Sequence, residues 1–220
     1  MTSQSSLDAL AVRGAGSVVR PTNYARSLFH VASAAVALTA VALLPSRGWL
    51  IAIPGAFAAY AWSMEIARRF SPRLNDRLMR FYGAIVHPHE RYRVNSATWY
   101  GTALVLLALF ATVPAMMTAV VVLGVADPIA GFVGRRWGSR TLRAGRSLEG
   151  SLAFFASGTV AAAVALAIAH VGSPVAIVVL AGLAGLAGAI AELFATHLDD
   201  NFTIPIAVGA VATLATPLLA

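Results

Sequence analysis

Six of the nine carboxylates in this 220-residue chain sit where carboxylates are costly. Glu65, Asp127, Glu149, Glu192, Asp199 and Asp200 fall at or just inside the ends of long apolar runs. Charge at that depth is expensive and marks function more often than scaffold. The densest stretch is residues 126–150, ADPIAGFVGRRWGSRTLRAGRSLEG, with Asp127, Glu149, five arginines and glycines at 131, 134, 138, 145 and 150. Guanidinium forks such as those of Arg135, Arg136 and Arg146 grip phosphate oxygens, and bare backbone at Gly134, Gly138 and Gly150 lets them approach. Two acids in the same basic stretch point to a divalent cation bridging carboxylate to phosphate. A basic loop that only sets membrane topology has the same composition.

The elements that must position these residues are membrane helices. A chain that is 59% hydrophobic and 11% charged, with long apolar runs, is an integral helical membrane protein rather than a soluble bundle. Seven apolar segments are predicted near 28–44, 48–66, 98–112, 114–133, 148–169, 174–198 and 203–219. Several fall short of the roughly 20 residues of a straight span, so tilted or broken helices are expected. Gly182, Gly185 and Gly188 in AGLAGLAGAIAE would let helices approach closely. Every one of the sixteen basic residues is arginine, and an N-terminus on the cytoplasmic side places all but Arg47 on that side. The six acids then share the same face, as one site requires.

Between the second and third apolar segments, Phe70, Leu74, Leu78 and Phe81 recur at helical spacing beside Arg69, Arg73, Arg77 and Arg80. That pattern predicts an amphipathic helix in the headgroup layer. Residues 1–25 are polar and lack an apolar core, so a cytoplasmic tail without a cleavable signal peptide is expected, followed by one transmembrane domain over 26–220. Without cysteine, neither disulfides nor thiol chemistry enters. The net charge of +7 fits topology and anionic headgroups, so no nucleic-acid partner is inferred.

Several candidates carry a structural role as well as a chemical one. Asp127 before Pro128 is a helix-opening pair, which here would break a span at membrane depth and line a cavity. Ser147 is a plausible N-cap with Glu149 in the first turn behind it, and the same helix N-terminus attracts phosphate beside Arg146. Glu192, Thr196 and Asp199 stand at i, i+4 and i+7, on one face if the helix continues, with Asp200 and Asn201 following. Adjacent oxygen ligands of this kind suit Mg²⁺ with a triphosphate. His30, four residues after Arg26, is either a bonded core histidine or a catalytic one. HPHE at 87–90 is too short a signal to define a metal site. The P-loop pattern is absent, as is the D-G-x-x-A-R signature of CDP-alcohol phosphotransferases.

ADPIAGFVGRRWG, GRSLEGSLAFF and LDDNFTIPI together resemble the CTP-dependent dolichol kinase, phytol kinase and diacylglycerol kinase family, and Arg26 with His30 resembles that family's R-K-x-x-H. The resemblance runs from about residue 24 to the end and departs at Ala126, Arg146 and Ser27, where the family has glycine, lysine and lysine. It implies functional positions at Asp127, Gly134, Arg135, Gly138, Ser147, Glu149, Gly150, Asp199, Asp200 and Asn201. It implies transfer of the γ-phosphate of CTP to the hydroxyl of a lipid alcohol such as a polyprenol, phytol or diacylglycerol.

The expectation is therefore an all-α polytopic membrane kinase of about seven spans plus an interfacial helix, acting with Mg²⁺ and CTP at the cytoplasmic face. Asp127, Glu149 and Asp199 are its catalytic candidates, with Asp127 favoured as base. Gly134, Arg135, Arg136, Gly138, Arg146, Ser147 and Gly150 would hold phosphate, and Asp127, Glu192, Asp199, Asp200 and Asn201 the metal. Arg26, His30 and Glu65 complete the candidates. The alternatives are a phosphatidate cytidylyltransferase-like transferase and a transporter of an anionic substrate. The near absence of charge in the outer connections disfavours the transporter.

Overall fold

Polar punctuation between the apolar runs decides where each helix starts. The computed structural model describes residues 24–82, 91–196 and 198–219, and the described residues form eight α-helices. These are α1 (Tyr24–Leu43), α2 (Arg47–Phe70), α3 (Pro72–Phe81), α4 (Ser96–Phe110), α5 (Val113–Trp137), α6 (Leu148–Ile168), α7 (Pro174–Phe194) and α8 (Asp200–Leu219). Ser71, Asn95, Thr112, Ser147 and Ser173 each accept a backbone N–H of the first turn that follows, and proline occupies the first turn after Ser71, Thr112 and Ser173. Each cap satisfies one of the donors that a helix start leaves unpaired.

α5 is the hub. It packs against α1, α4, α6, α7 and α8, while α7 also packs on α6 and α8, and α2 packs on α4. Val120, Val122, Leu123 and Ala126 of α5 are fully buried against Phe154, Leu180, Ile204 and Val208. The outward faces stay apolar: Val175, Val178, Leu186 and Ile190 of α7 are exposed, as a lipid-facing helix requires. Small residues set the closest approaches. A Cβ on Gly185 would lie 2.3 Å from Thr159 Oγ1 and one on Gly188 2.7 Å from Phe154, whereas nothing lies within 4 Å of such an atom on Gly182. The expected three-glycine seam thus has two working members.

Five helices, α2 and α5–α8, are long and apolar enough to cross a membrane, which identifies an integral membrane protein. The other two apolar helices, α1 over His30–Leu43 and α4, are shorter, so the expected seven spans stand here at five plus two short apolar helices. α3 is the expected amphipathic helix between α2 and α4, with Phe70 left behind at the end of α2.

Two local expectations are corrected. Asp127–Pro128 does not open a helix: α5 starts at its Thr112 cap and runs through Pro128 to Trp137. Bundle helices tolerate proline because neighbours and local adjustments compensate its missing donor. The 134–147 loop is also shorter than expected, since Gly134 to Trp137 form the last turn of α5. What remains folds back on itself through an antiparallel bridge between Thr141 and Ser147 and a 3₁₀ turn, Arg143–Gly145. Gly145 there has φ of 72°, a value glycine adopts without a Cβ penalty.

Arg47, the isolated arginine of the opposite end, caps α4. Its guanidinium donates to the Ala108 and Ala111 carbonyls, both at 2.8 Å, where the helix dipole favours a cation.

Candidate functional site

Alternating helix direction brings the start of α1, the end of α2, the starts of α4, α6 and α8 and the ends of α5 and α7 to one end of the bundle. The chain's buried charges gather there. Arg146, just before α6, lies between two acids: it is ion-paired with Glu192 of α7, and its Nη2 stands 3.5 Å from Asp200 Oδ2 of α8. Glu192 is buried, and Asp127 of α5 also acts on it electrostatically. Arg146 Nε and Glu192 Oε2 are both buried without a hydrogen-bond partner.

Asp199 caps α8. Its Oδ1 accepts the Asn201 backbone N–H at 3.0 Å and the Asn201 amide at 2.6 Å, and its Oδ2 accepts the Ser96 hydroxyl at 2.8 Å. Asn201 also donates to Asp200 Oδ1 at 3.2 Å, so one buried amide ties two adjacent carboxylates together. Burial pushes the Asp199 carboxyl up to about 6, with the neighbouring Asp200 charge adding to the rise. The expected shared helix face of Glu192, Thr196 and Asp199 is not formed, because α7 ends at Phe194. Glu192 reaches the site from the last turn of α7, and Asp199 from the residue before α8. Ser96 is the residue sequence inspection missed, and its only signal was its place beside the Asn95 cap.

On α5, half-buried Asp127 faces α1, where His30 Nε2 stands 4.0 Å from Asp127 Oδ2 and has no hydrogen bond. The backbone of Arg26 lies in the first turns of α1; its side chain is outside the described residues, as are HPHE at 87–90 and Glu90.

The remaining candidates go elsewhere. Glu149 turns to the loop, accepting the Ser139 hydroxyl and, at 3.4 Å, the Arg140 N–H. Glu65 is buried in an ion pair with Arg68 at 2.7 Å and accepts the Asn95 N–H at 3.0 Å. Arg68 in turn donates to Asn75 and to the Arg91 and Arg93 carbonyls, tying α2 to α3 and to the approach to α4. Gly134, Gly138 and Gly150 crowd around the Ser147 hydroxyl: a Cβ on any of them would meet Ser147 Oγ within 3.1 Å. They serve the close contact between α5 and the start of α6. Arg135 and Arg136 are exposed at the last turn of α5 and form no ion pair among the described residues.

No three His, Asp or Glu among the described residues could by themselves hold a metal ion. Mg²⁺ with a nucleotide does not need three: it takes one or two carboxylates and completes its shell with phosphate oxygens and water. Asp199 and Asp200, with the unbonded Glu192 oxygen nearby, fit that mode.

Beside this polar end lies a cavity of about 650 Å³ between α1 and α2, closed behind by α4. His30, Ser96 and Asn201 line one extremity, Leu44, Leu50 and Met116 the other, and the walls between are mostly apolar.

The chain is similar to a curated phytol kinase from Synechocystis sp., 27% identical over 196 residues, which cover 87% of this chain and 79% of that protein. This likeness supports a lipid- or prenyl-alcohol kinase in general. No protein-family model matches the chain, and no solved structure matches it.

Proposed function

We propose that this protein is a CTP-dependent membrane kinase that transfers the γ-phosphate to the hydroxyl of a lipid alcohol, with Mg²⁺, at the cytoplasmic face. The observation that carries the reading is the Arg146 junction: an arginine just before α6 held between Glu192 of α7 and Asp200 of α8, with an unbonded Nε, beside the Asp199–Asn201 pair. A buried donor without a partner calls for one, and a phosphate oxygen would supply it. The likeness to a phytol kinase supports the acceptor class, and the choice of CTP rests on the motif resemblance alone.

Arg146 Nε would bind phosphate oxygens, with Arg135 and Arg136 adding charge from the rim. Arginine in place of the family's lysine offers a planar fork rather than a point charge. Asp199 and Asp200 would hold Mg²⁺, which when bound neutralises charge on the triphosphate. The alcohol oxygen bonds to the γ-phosphorus, the bridge to the β-phosphate breaks and CDP leaves. Asp127, with His30 Nε2 4.0 Å away, would take the hydroxyl proton. Glu149 would hold the 138–147 loop against α6 rather than enter the chemistry.

Purified protein in detergent, given Mg²⁺, γ-labelled CTP or ATP and a panel of phytol, geranylgeraniol, polyprenol and diacylglycerol, tests this. Label should appear in a lipid monophosphate and vanish in Asp127→Asn and Asp199→Asn. Pyrophosphate release from CTP and phosphatidate, without label in any alcohol, would replace the reading with a cytidylyltransferase.

A further inference from the structure

The cavity between α1 and α2 has no role in phosphate binding, yet it adjoins the site. Ser96 belongs to both: it lines the cavity and donates to Asp199 Oδ2 at 2.8 Å. His30 also lines the cavity, with its unbonded Nε2 on the Asp127 side. An alcohol with its hydroxyl at this extremity and its chain along the groove would therefore present its oxygen between the acids of α5 and α8.

The packing leaves a way in from the side. α1 is held against α5 and α2 against α4, while α1 and α2 make little contact with each other beyond their connecting turn. A hydrocarbon chain dissolved in a bilayer can enter between two such helices without crossing water.

Size limits the occupant. The cavity's volume of about 650 Å³ lies within the range of sites that take one small ligand. From His30 to Leu44 the α1 wall runs about 21 Å, at 1.5 Å per residue. One chain of about twenty carbons fills that space. A diacylglycerol brings two chains, and a long polyprenol must turn out sideways past Leu50.

We propose that this cavity is the substrate chamber, that it takes a single-chain isoprenoid alcohol of about twenty carbons or fewer, and that the Leu44, Leu50 and Met116 end limits chain length. The proposal rests on the kinase reading for its chemistry, but not for its binding.

Two bulky substitutions on α1 test it as a graded ruler. Ala40→Phe would obstruct the groove about 15 Å along α1 from His30, and Ala37→Phe about 10 Å along it. Ala40→Phe should lower kcat/KM for the C20 alcohol geranylgeraniol about tenfold while sparing the C15 alcohol farnesol. Ala37→Phe should lower both and spare the C10 alcohol geraniol. A misfolded variant would lose all three together, so the order of loss carries the result. Equal effects on all chain lengths by well-folded variants, with kinase activity intact, would overturn the chamber and leave the kinase standing. A photoactivatable geranylgeraniol, added to wild-type protein without nucleotide, provides the independent arm. Crosslinks confined to the cavity lining on α1, α2, α3 and α4 and to Met116 of α5, and competed by excess geranylgeraniol, support the chamber even in a protein with no kinase activity. Crosslinks spread over the outer faces of α6 and α7, or competed equally by phospholipid, would overturn it.

Discussion

Arg146 concentrates the energetic risk of the site in one side chain. Removing one partner of a largely buried ion pair leaves the other charge uncompensated, at a cost of about 3 kcal/mol. Arg146→Met should therefore lower the melting temperature in detergent clearly. Adding Glu192→Met should recover most of that loss, since an apolar pair of similar volume removes the stranded charge. Activity should stay lost in both. If the double variant regained phosphoryl transfer, Arg146 would be scaffold only. Asp199 behaves differently. Its folded-state carboxyl is raised from 3.8 to about 6, so the metal-free fold gains stability from its protonation below 3.8 and loses that gain as pH rises through about 6. If Asp199 ligates Mg²⁺, cation affinity should instead fall about tenfold per pH unit below pH 6, because proton and metal compete. Titrating Mn²⁺ by calorimetry between pH 5 and 8, in wild type and Asp199→Asn, reads that slope. A flat profile in the wild type would remove Asp199 from the ligand set.

At the scale of elements, glycines with identical sequence surroundings differ in cost. Gly185→Ala would place a Cβ 2.8 Å from the Thr159 backbone nitrogen, so α6 and α7 must separate, at about 1–3 kcal/mol. Gly182→Ala meets nothing within 4 Å and should be neutral or slightly stabilising, since alanine is the better helix former. Thermal unfolding of the two variants side by side decides it, and equal melting points would mean that the α6–α7 contact is looser than described. The same steric reasoning covers Gly134, Gly138 and Gly150. Their spacing reads as a phosphate cradle, and a Cβ on any of them would also press on the Ser147 hydroxyl. α3 shows the opposite case: its alternation of arginine and large apolar residues was legible without any partner, because amphipathicity is a local property.

For the whole molecule the arginines predict orientation. The turns at 44–46, 111–112 and 169–173 share the end that holds Arg47, while the 138–147 loop lies at the opposite end with the buried acids. Because the chain has no cysteine, single cysteines can report on sidedness. Ser46→Cys and Ser173→Cys in intact cells should react with a membrane-impermeant maleimide, and Ser139→Cys should react only after lysis. Labelling of Ser139→Cys from outside would invert the topology and move the site away from cytoplasmic nucleotide. Ser46→Cys, at the start of α2, reports on which side α2 begins.

The amino-acid sequence by itself determined the all-α membrane character, the helix start at the Ser147 cap, the amphipathic α3 and the clustering of acids at one end of the helices. Each follows from composition or from interactions reaching no further than about one helical turn. Tertiary structure decided which acids meet. Glu192 and Asp200 converge on Arg146, Glu65 is taken by Arg68, and Glu149 is drawn to the loop by Ser139 and Arg140. It also decided that α5 stays continuous through Pro128, that Ser96 joins the site from a different helix, and that α1 and α2 part to leave a chamber. Those outcomes depend on which helix faces interlock across the whole chain, at contacts such as Gly185 against Thr159, Gly124 against Ala34 and Gly209 against Leu107. Steric fits between residues tens of positions apart leave no mark in local spacing.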